Sequence, residues 1–247
     1  MAPFLPPRKC AMVGALAVLL CSSLHAQNGI ELLHRMQQAL GGADKIASVR
    51  DLDELVRAQT WHEDGSARGD VHKRTRWISP TYLRLDQVGE DSNTYVLYFD
   101  GSSGWEIVPD KSGVVKLEGD ELKFAEQYLQ NFEFKLWLAD RDPQNVVTSP
   151  MPNVVQITDK RNLQNTVDIT LDPLSWLPTK QTVQTNDTEF KEWKTVGGIR
   201  YPHVKELVRD GQKRATITVD RVKLDSGLDQ RQLSAKPPDS KPILGIE

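Results

Sequence analysis

The chain has 247 residues and a formal net charge of −3, from 31 lysines and arginines against 34 aspartates and glutamates. This length suits a single domain that buries its own core. The acidic balance argues against a nucleic-acid partner, which requires a basic surface.

Residues 1–26 have the pattern of a secretory signal peptide. Arg8 and Lys9 precede an apolar run over 11–20, which is too short to span a bilayer as a stable helix. We therefore expect cleavage of this segment, a periplasmic location and one mature domain over residues 27–247.

Both cysteines of the chain lie in this first segment. Cleavage would remove Cys10 and Cys21 together, so the mature domain would contain no cysteine. This excludes disulfides, thiolate metal sites and cysteine nucleophiles. Cys21 also follows Leu20, whereas an acylated lipoprotein cysteine follows a small residue. We expect a secreted soluble protein without a lipid anchor.

Two short helices are predicted at the start of the mature domain. The first runs from Gly29 to Leu40 with Asn28 as its N-cap, because its leucines and Met36 share one face. The second covers residues 43–49, after a Gly-Gly pair that ends the first helix.

Strand patterns dominate the rest of the chain. The segments 53–62 and 70–79 are typical of a hairpin, residues 81–88 alternate apolar and polar, and 95–99 is apolar on both faces. Similar segments continue to residue 224, and we expect about ten or eleven antiparallel strands.

The longest helical pattern lies between the strands, over residues 120–139. Apolar residues recur there at steps of three and four, and bulky aromatic rings widen the stripe. Because helices are the main apolar elements available to cover the dry face of the sheet, we predict a mainly β (α+β) fold. The sheet is expected to form a strongly curved, open half-barrel with helices on its concave face.

The tail that follows the last strand has a different composition. From Ser226 it is rich in proline and lysine. We expect it to follow the sheet edge or fray, and to be loose from about residue 237.

The sequence has no catalytic signature. Gly101-Ser102-Ser103-Gly104 is one residue short of a nucleophile elbow and lies between two strands, so it predicts a tight turn. No nucleotide-binding loop is present. We predict no catalytic residue, no cofactor and a function other than catalysis. The basic run 72–76 is predicted to lie on a solvated strand face.

One hairpin carries a weak metal-site pattern. If the hairpin is symmetric about Ser66, His62 faces Asp70 and His72 lies diagonally on the same face. Two imidazoles and a carboxylate are suitable ligands for Zn²⁺. The alternative is an exposed polar face, which the short spacing favours, and we predict no metal there.

A surplus of large apolar residues is the most informative feature. In a curved half-barrel such residues either line a ligand cavity or fill the core, and small barrels commonly hold one ligand. The candidate lining consists of Trp77, Leu83, Leu85, Tyr95, Leu97, Phe99, Trp105, Phe124, Tyr128, Phe132 and Trp137.

Several segments together resemble the LolA/LolB-like superfamily of lipoprotein carriers. They are residues 39–52, the segment Tyr98 to Trp105 with its Asp100-Gly101 turn, residues 172–178, residues 193–202 and the closing Leu228-Asp229. The resemblance covers about residues 28–237 and consists of turns and element order.

This resemblance implies a half-barrel, lidded by helices, that shields acyl chains in the periplasm. The expected function is therefore a carrier or receptor of lipid or lipoprotein acyl chains, involved in lipoprotein or lipid transport to the outer membrane. The alternative that the residues leave open is an envelope protein–protein interaction module with a simply packed core.

Overall fold

The computed structural model describes residues 29–89, 94–109, 111 and 113–237. The predicted signal peptide, the Asn28 cap and the tail after residue 237 lie outside these ranges. Among the described residues, none of the helices combines the length and the hydropathy that a membrane-spanning helix needs.

The described residues form thirteen strands and five α-helices. The helices are α1 (29–40), α2 (Ala43–Ser48), α3 (Gly119–Gln130), α4 (Glu133–Trp137) and α5 (Gln230–Ser234), with a 3-10 turn at Ala139–Arg141. The strands are β1 (Asp51–Trp61), β2 (Ala67–Ile78), β3 (Tyr82–Gly89), β4 (Thr94–Phe99), β5 (Gly104–Ile107), β6 (Val115–Lys116), β7 (Asn145–Thr148), β8 (Val154–Asp159), β9 (Asn162–Leu171), β10 (Pro178–Val183), β11 (Asn186–Val196), β12 (Ile199–Arg209) and β13 (Gln212–Leu224).

All strands belong to one antiparallel sheet, in the order β6-β5-β4-β3-β2-β1-β13-β12-β11-β10-β9-β8-β7. Two meanders, β1–β6 and β7–β13, therefore meet where β1 pairs with β13. Within the described chain β6 and β7 are the outer strands, so the sheet stays open, as expected. The predicted count of about ten or eleven strands is too low, since the described residues form thirteen.

Helices α1 to α4 cover one face of the sheet, here called the inner face, and the main hydrophobic core lies between them and the sheet. The strand register places Leu52 beside Trp77 and Trp77 beside Leu83, so these residues form one inward row. From α1, Leu33 and Met36 complete this packing, and neither is exposed to solvent. The core thus fills one end of the inner face.

The prediction of one continuous helix over residues 120–139 is wrong. The helix breaks at Phe132, which has the extended dihedrals φ −64° and ψ 134°. Phe132 and Phe134 are two residues apart and would project about 200° apart on a continuous helix. The break lets both rings pack on Trp77, with centroid distances of 5.1 and 5.6 Å. Burial of two bulky rings therefore outweighs helix continuity.

The chain after β13 stays packed on the sheet up to residue 237. The expectation of a frayed or edge-bound tail is therefore wrong for residues 226–237. Residues 226–237, here called the C-terminal strap, cross the outer face of β3 and β4. Beneath it lies a second hydrophobic cluster. Its buried members are Val96, Tyr98, Trp105, Ile107 and Leu233.

A buried arginine fastens the strap to the sheet. Arg84 is fully buried, and its Nη1 donates to the carbonyl oxygens of Leu233 at 2.9 Å and Ala235 at 2.5 Å. Its Nε donates to Asp86 Oδ2 at 2.8 Å. The guanidinium charge is thereby balanced by a carboxylate while two strap carbonyls are satisfied.

The basic run 72–76 is not a solvated face, contrary to prediction. Arg76 is buried and pairs with Asp86 beneath the strap. Arg74 donates two hydrogen bonds to Asp53, at 2.7 and 2.8 Å. These cations are covered because acidic residues on the neighbouring strands β1 and β3 pair with them.

A single carboxylate locks the junction of the two meanders. Asp51 begins β1 and is 5% exposed. Its Oδ1 accepts from the backbone N–H and hydroxyl of Ser226, both at 2.7 Å, and its Oδ2 accepts from the N–H groups of Gly227 at 2.9 Å and Leu228 at 3.2 Å. The start of β1 thus holds the turn through which the chain leaves β13.

We expect Asp51→Ala to lower the free energy of unfolding by about 3 kcal/mol, because it leaves these donors without their charged acceptor. The matched control Ser226→Ala removes only the hydroxyl and should cost about 1 kcal/mol or less. Urea unfolding of both variants measures the difference. Equal losses in the two variants would contradict the proposed locking role of Asp51.

Candidate functional site

An open cleft lies on the inner face where the helices end, and it encloses about 400 Å³. One wall comes from α3 and α4, the other from β10 and β11, and the floor from β1, β2, β12 and β13. The lining residues are Glu54, Val56, Lys73, Phe124, Gln127, Tyr128, Asn131, Phe132, Glu133, Gln181, Val183, Gln184, Asn186, Thr188, Phe190, Lys205, Leu207 and Ile217.

Helix α3 covers this part of the sheet only partly. Its buried residues are Ala125 and Leu129, which hold one side of the helix against the core. Phe124 is 52% exposed, and its ring lies 6.1 Å from that of Tyr128. The helix therefore presents aromatic rings to the cleft and leaves the cleft accessible from solvent.

The cleft is long enough for an extended apolar ligand. From Lys73 on β2 to Val183 on β10, the cleft crosses five spacings between neighbouring strands. At about 4.8 Å each this makes an arc of about 24 Å. A second hollow of about 270 Å³ shares Val56, Leu207 and Ile217 with the first and extends it along β1 and β2. Small-molecule sites commonly enclose about 300–1,000 Å³.

A charged cluster closes the end of the cleft that meets the core. Lys205 Nζ donates to Glu133 Oε1 at 2.6 Å and lies 3.5 Å from Glu54 Oε1. The hydroxyl of Tyr201 donates to the same Glu54 oxygen at 2.8 Å. This cluster joins α4 to β1 and β12, so it fixes the broken helix against the sheet.

The pKa shifts in this cluster follow from burial and pairing. Burial alone would lower the pKa of the Lys205 ammonium, but the charges of Glu133 and Glu54 hold that pKa well above its usual range. Burial likewise opposes ionisation of Glu133, yet the charge and hydrogen bond of Lys205 keep its pKa below the usual range. Burial and the charge of Glu54 raise the pKa of Tyr201, so its phenol stays protonated and donates.

A second basic residue lies on the floor, at the junction of the two hollows. Lys73 Nζ donates to the hydroxyl of Tyr128 at 2.9 Å and lies 5.0 Å from the centre of the same ring. This contact joins β2 to α3 across one end of the cleft.

The structure separates the predicted lining residues into three groups. Phe124, Tyr128 and Phe132 line the cleft. Trp105 lies on the outer face, beneath the strap, because it pairs with Tyr98 and not with an inward residue. The others pack in or against the main core and do not line the cleft, namely Trp77, Leu83, Leu85, Tyr95, Leu97, Phe99 and Trp137.

The apolar floor of the cleft was missed in the sequence. Leu207 and Ile217 come from alternating strands whose inward faces resemble any other half-buried strand. The role of Lys205 could not be recognised in the sequence, because its two partners, Glu54 and Glu133, are distant from it along the chain. The alternation of β12 and β13 is the one pattern that identifies their inward residues.

The hairpin geometry behind the weak metal hypothesis is contradicted. The hairpin turns at residues 62–66, with Trp61 paired to Ala67, so Asp70 faces Gln59 and His72 faces Arg57. In the described ranges no group of three or more His, Cys, Asp or Glu is placed to hold a metal ion.

The Gly101–Gly104 segment turns the chain from β4 into β5, which begins at Gly104, and this confirms the predicted turn. The carboxylate of Asp100 accepts hydrogen bonds from the backbone N–H and hydroxyl groups of Ser102 and Ser103, at 2.8 to 3.0 Å. Both serine hydroxyls are therefore held by a turn-forming carboxylate.

Three solved structures share this architecture. The first, from Vibrio parahaemolyticus, is described as an outer membrane lipoprotein-sorting protein domain; the match covers 84% of this chain and 97% of that one, with TM-score 0.54 and 12% identity. A DUF1329 family protein from Desulfovibrio piger matches over 85% and 97%, with TM-score 0.57 and 12% identity. A LolA superfamily protein from Nitrosomonas europaea matches over 81% and 97%, with TM-score 0.53 and 12% identity.

These matches confirm, at the level of fold, the resemblance found in the sequence. No protein-family model matches the chain, and no curated protein matches it by sequence. At 12% identity the likeness shows the fold alone, and a fold does not determine the function of its sites.

We expect Lys205→Met to lower the free energy of unfolding by about 3–5 kcal/mol, because it leaves two carboxylates without their buried cation. Lys213→Met is a matched control, since this lysine pairs with Glu206 in solvent and should contribute less than about 1 kcal/mol. Urea unfolding at neutral pH compares the two variants. A similar small loss in both would show that the buried cluster is unimportant for stability.

The lowered pKa of Glu133 gives the stability a defined pH dependence. A carboxyl whose pKa is lower in the folded state than in the unfolded state stabilises the protein at pH values above the unfolded pKa, here 4.5. This stabilisation is lost as the pH falls below 4.5 and through the folded pKa. The difference in unfolding free energy between wild type and Glu133→Gln should therefore shrink from neutral pH to about pH 3.5. Urea unfolding at both pH values tests this, and a constant difference would refute it.

Proposed function

We propose that this chain is a non-catalytic periplasmic carrier or receptor that holds an acyl chain of a lipid or lipoprotein in the inner-face cleft. The observation that carries this proposal is the uncovered apolar floor between α3 and the sheet. The similar structures from Vibrio parahaemolyticus and Nitrosomonas europaea, described as a lipoprotein-sorting domain and a LolA superfamily protein, support it.

The driving force would be the transfer of apolar surface from water into the cleft. The floor offers Val56, Leu207 and Ile217, and the walls offer the rings of Phe124 and Phe190. Each buried methylene contributes about 0.8 kcal/mol, so a long chain gains several kcal/mol beyond the cost of ordering it. No cofactor is needed for such binding.

A movement of α3 would let the open cleft widen around a longer acyl chain. Gly119, with a positive φ of 59°, begins this helix, and the break at Phe132 ends it. Ala125 and Leu129 are the buried residues of α3, and Leu122 and Tyr128 pack against the core, so few contacts would oppose a shift of this helix. The two ends of α3 are the proposed hinges.

A second candidate is an envelope protein–protein interaction module. It is favoured by the closed packing of the core, where Trp77, Leu83, Leu97 and Phe99 are at most 3% exposed. In this case the cleft would receive a segment of a protein partner and no lipid.

We expect Leu207→Trp to weaken binding of a fluorescent fatty acid at least about tenfold, because the larger ring fills the cleft floor. The matched control is Leu174→Trp, at a turn residue that is 89% exposed, and it should bind as wild type does. Fluorescence titration of the purified proteins measures both.

Lipid extraction followed by mass spectrometry provides an independent test. The wild-type protein should carry acyl lipids after purification from the envelope, and Leu207→Trp should carry fewer. Absence of any fatty-acid binding, together with a specific co-purifying protein, would exclude the carrier and favour the interaction module.

A further inference from the structure

The charged side chains of the cleft are not equally paired. Four charged residues line it, namely Glu54, Lys73, Glu133 and Lys205. Lys205 lies 2.6 Å from Glu133 and 3.5 Å from Glu54, so both carboxylates are engaged by the same ammonium. Tyr201 donates a further hydrogen bond to Glu54.

Lys73 is the one residue of these four that takes no part in this pairing. Among the described residues no carboxylate oxygen lies within 4.0 Å of its Nζ, and its hydrogen-bond partner is the neutral phenol of Tyr128. Glu133 is near enough for the charge of Lys73 to help lower its pKa, but the two residues form no ion pair. The partly buried ammonium thus lacks a direct counter-charge, which is unfavourable because apolar surroundings solvate it less than water does. Its position therefore favours an anion in the cleft.

Tyr128 adds a second donor to the same point. Its oxygen accepts from Lys73, and no described residue accepts from its hydroxyl hydrogen. The ammonium retains further N–H donors of its own. Lysine and tyrosine thus present two kinds of donor to one small acceptor group, such as a carboxylate or phosphate.

Apolar residues lie next to this pair on the cleft floor. Val56 is the direct cross-strand neighbour of Lys73, and Ile217 lies diagonally across from Val56 on β13, where it pairs with Lys205 of β12. The floor then continues through Leu207 towards Val183. An anion at Lys73 therefore has room for one attached hydrocarbon chain along the floor.

We propose that Lys73 and Tyr128 bind the anionic headgroup of a single-chain amphiphile, either a fatty carboxylate or an alkyl phosphate, whose tail occupies the cleft. This inference rests on the proposed acyl-chain binding and adds the class of headgroup. Neutral heads, such as an ester or an alcohol, would leave the Lys73 charge without a partner.

Dissociation constants of dodecanoic acid, dodecyl phosphate and dodecanol, measured by calorimetry at a pH where the acid is ionised, test the proposal. At least one anion should bind wild type about tenfold more tightly than the alcohol, because its hydrogen bonds to Lys73 are charge-assisted. Lys73→Met should remove this preference and leave dodecanol binding unchanged. Whichever anion binds more tightly identifies the source of the headgroup.

Two further variants separate charge from packing. Tyr128→Phe keeps the ring and should weaken anion binding only, whereas Lys123→Met, which removes an exposed lysine of α3, should change nothing. Equal affinity of wild type for the alcohol and both anions would overturn the headgroup assignment while acyl-chain binding stands. Failure of all three probes to bind would instead overturn the proposed function itself.

Discussion

The pairing of β1 with β13 is the constraint on which the rest of the structure depends. Each meander is built from neighbours in sequence, but this ladder joins residue 52 to residue 224 and residue 60 to residue 215. It sets Val56 and Ala58 beside Val219 and Ile217, which makes the cleft floor continuous. Without this ladder each meander would end in a further unpaired edge, and the inner face would be divided between them.

The inner face is covered unevenly because its side chains differ in size from one end to the other. Towards the helices the rings of Trp77, Phe134 and Tyr201 fill the space between sheet and helix. Towards the first hairpin the inward residues include Ala58 and Ala215, which leave room above the backbone. The cleft thus arises from a gradient of side-chain volume along the strands, and the charged cluster at Lys205 marks where the packed part ends.

The sequence predicted the strand-rich fold well, because alternation and turn residues are local signals. It predicted strands as far as residue 224, which is where β13 ends. The break at Phe132 was not predictable from periodicity, since the competing term is the burial of two rings against Trp77. The faces of Trp105 and Arg76 were likewise hidden, because they depend on a strap that reaches the outer face from the far end of the chain. The sequence suggested an apolar cavity on the concave face but did not identify the residues of its floor. These residues belong to strands whose alternation is the same whether they line a cavity or fill a core.

The junction of the two meanders also determines how the protein is made. During synthesis β1 emerges first among the strands, while its partner β13 emerges last. Until then one edge of β1 has no partner, and the closure of so long a loop makes the final assembly slow. Until β13 is added, this edge of β1 presents unpaired backbone N–H and C=O groups, which can pair with a strand of another chain.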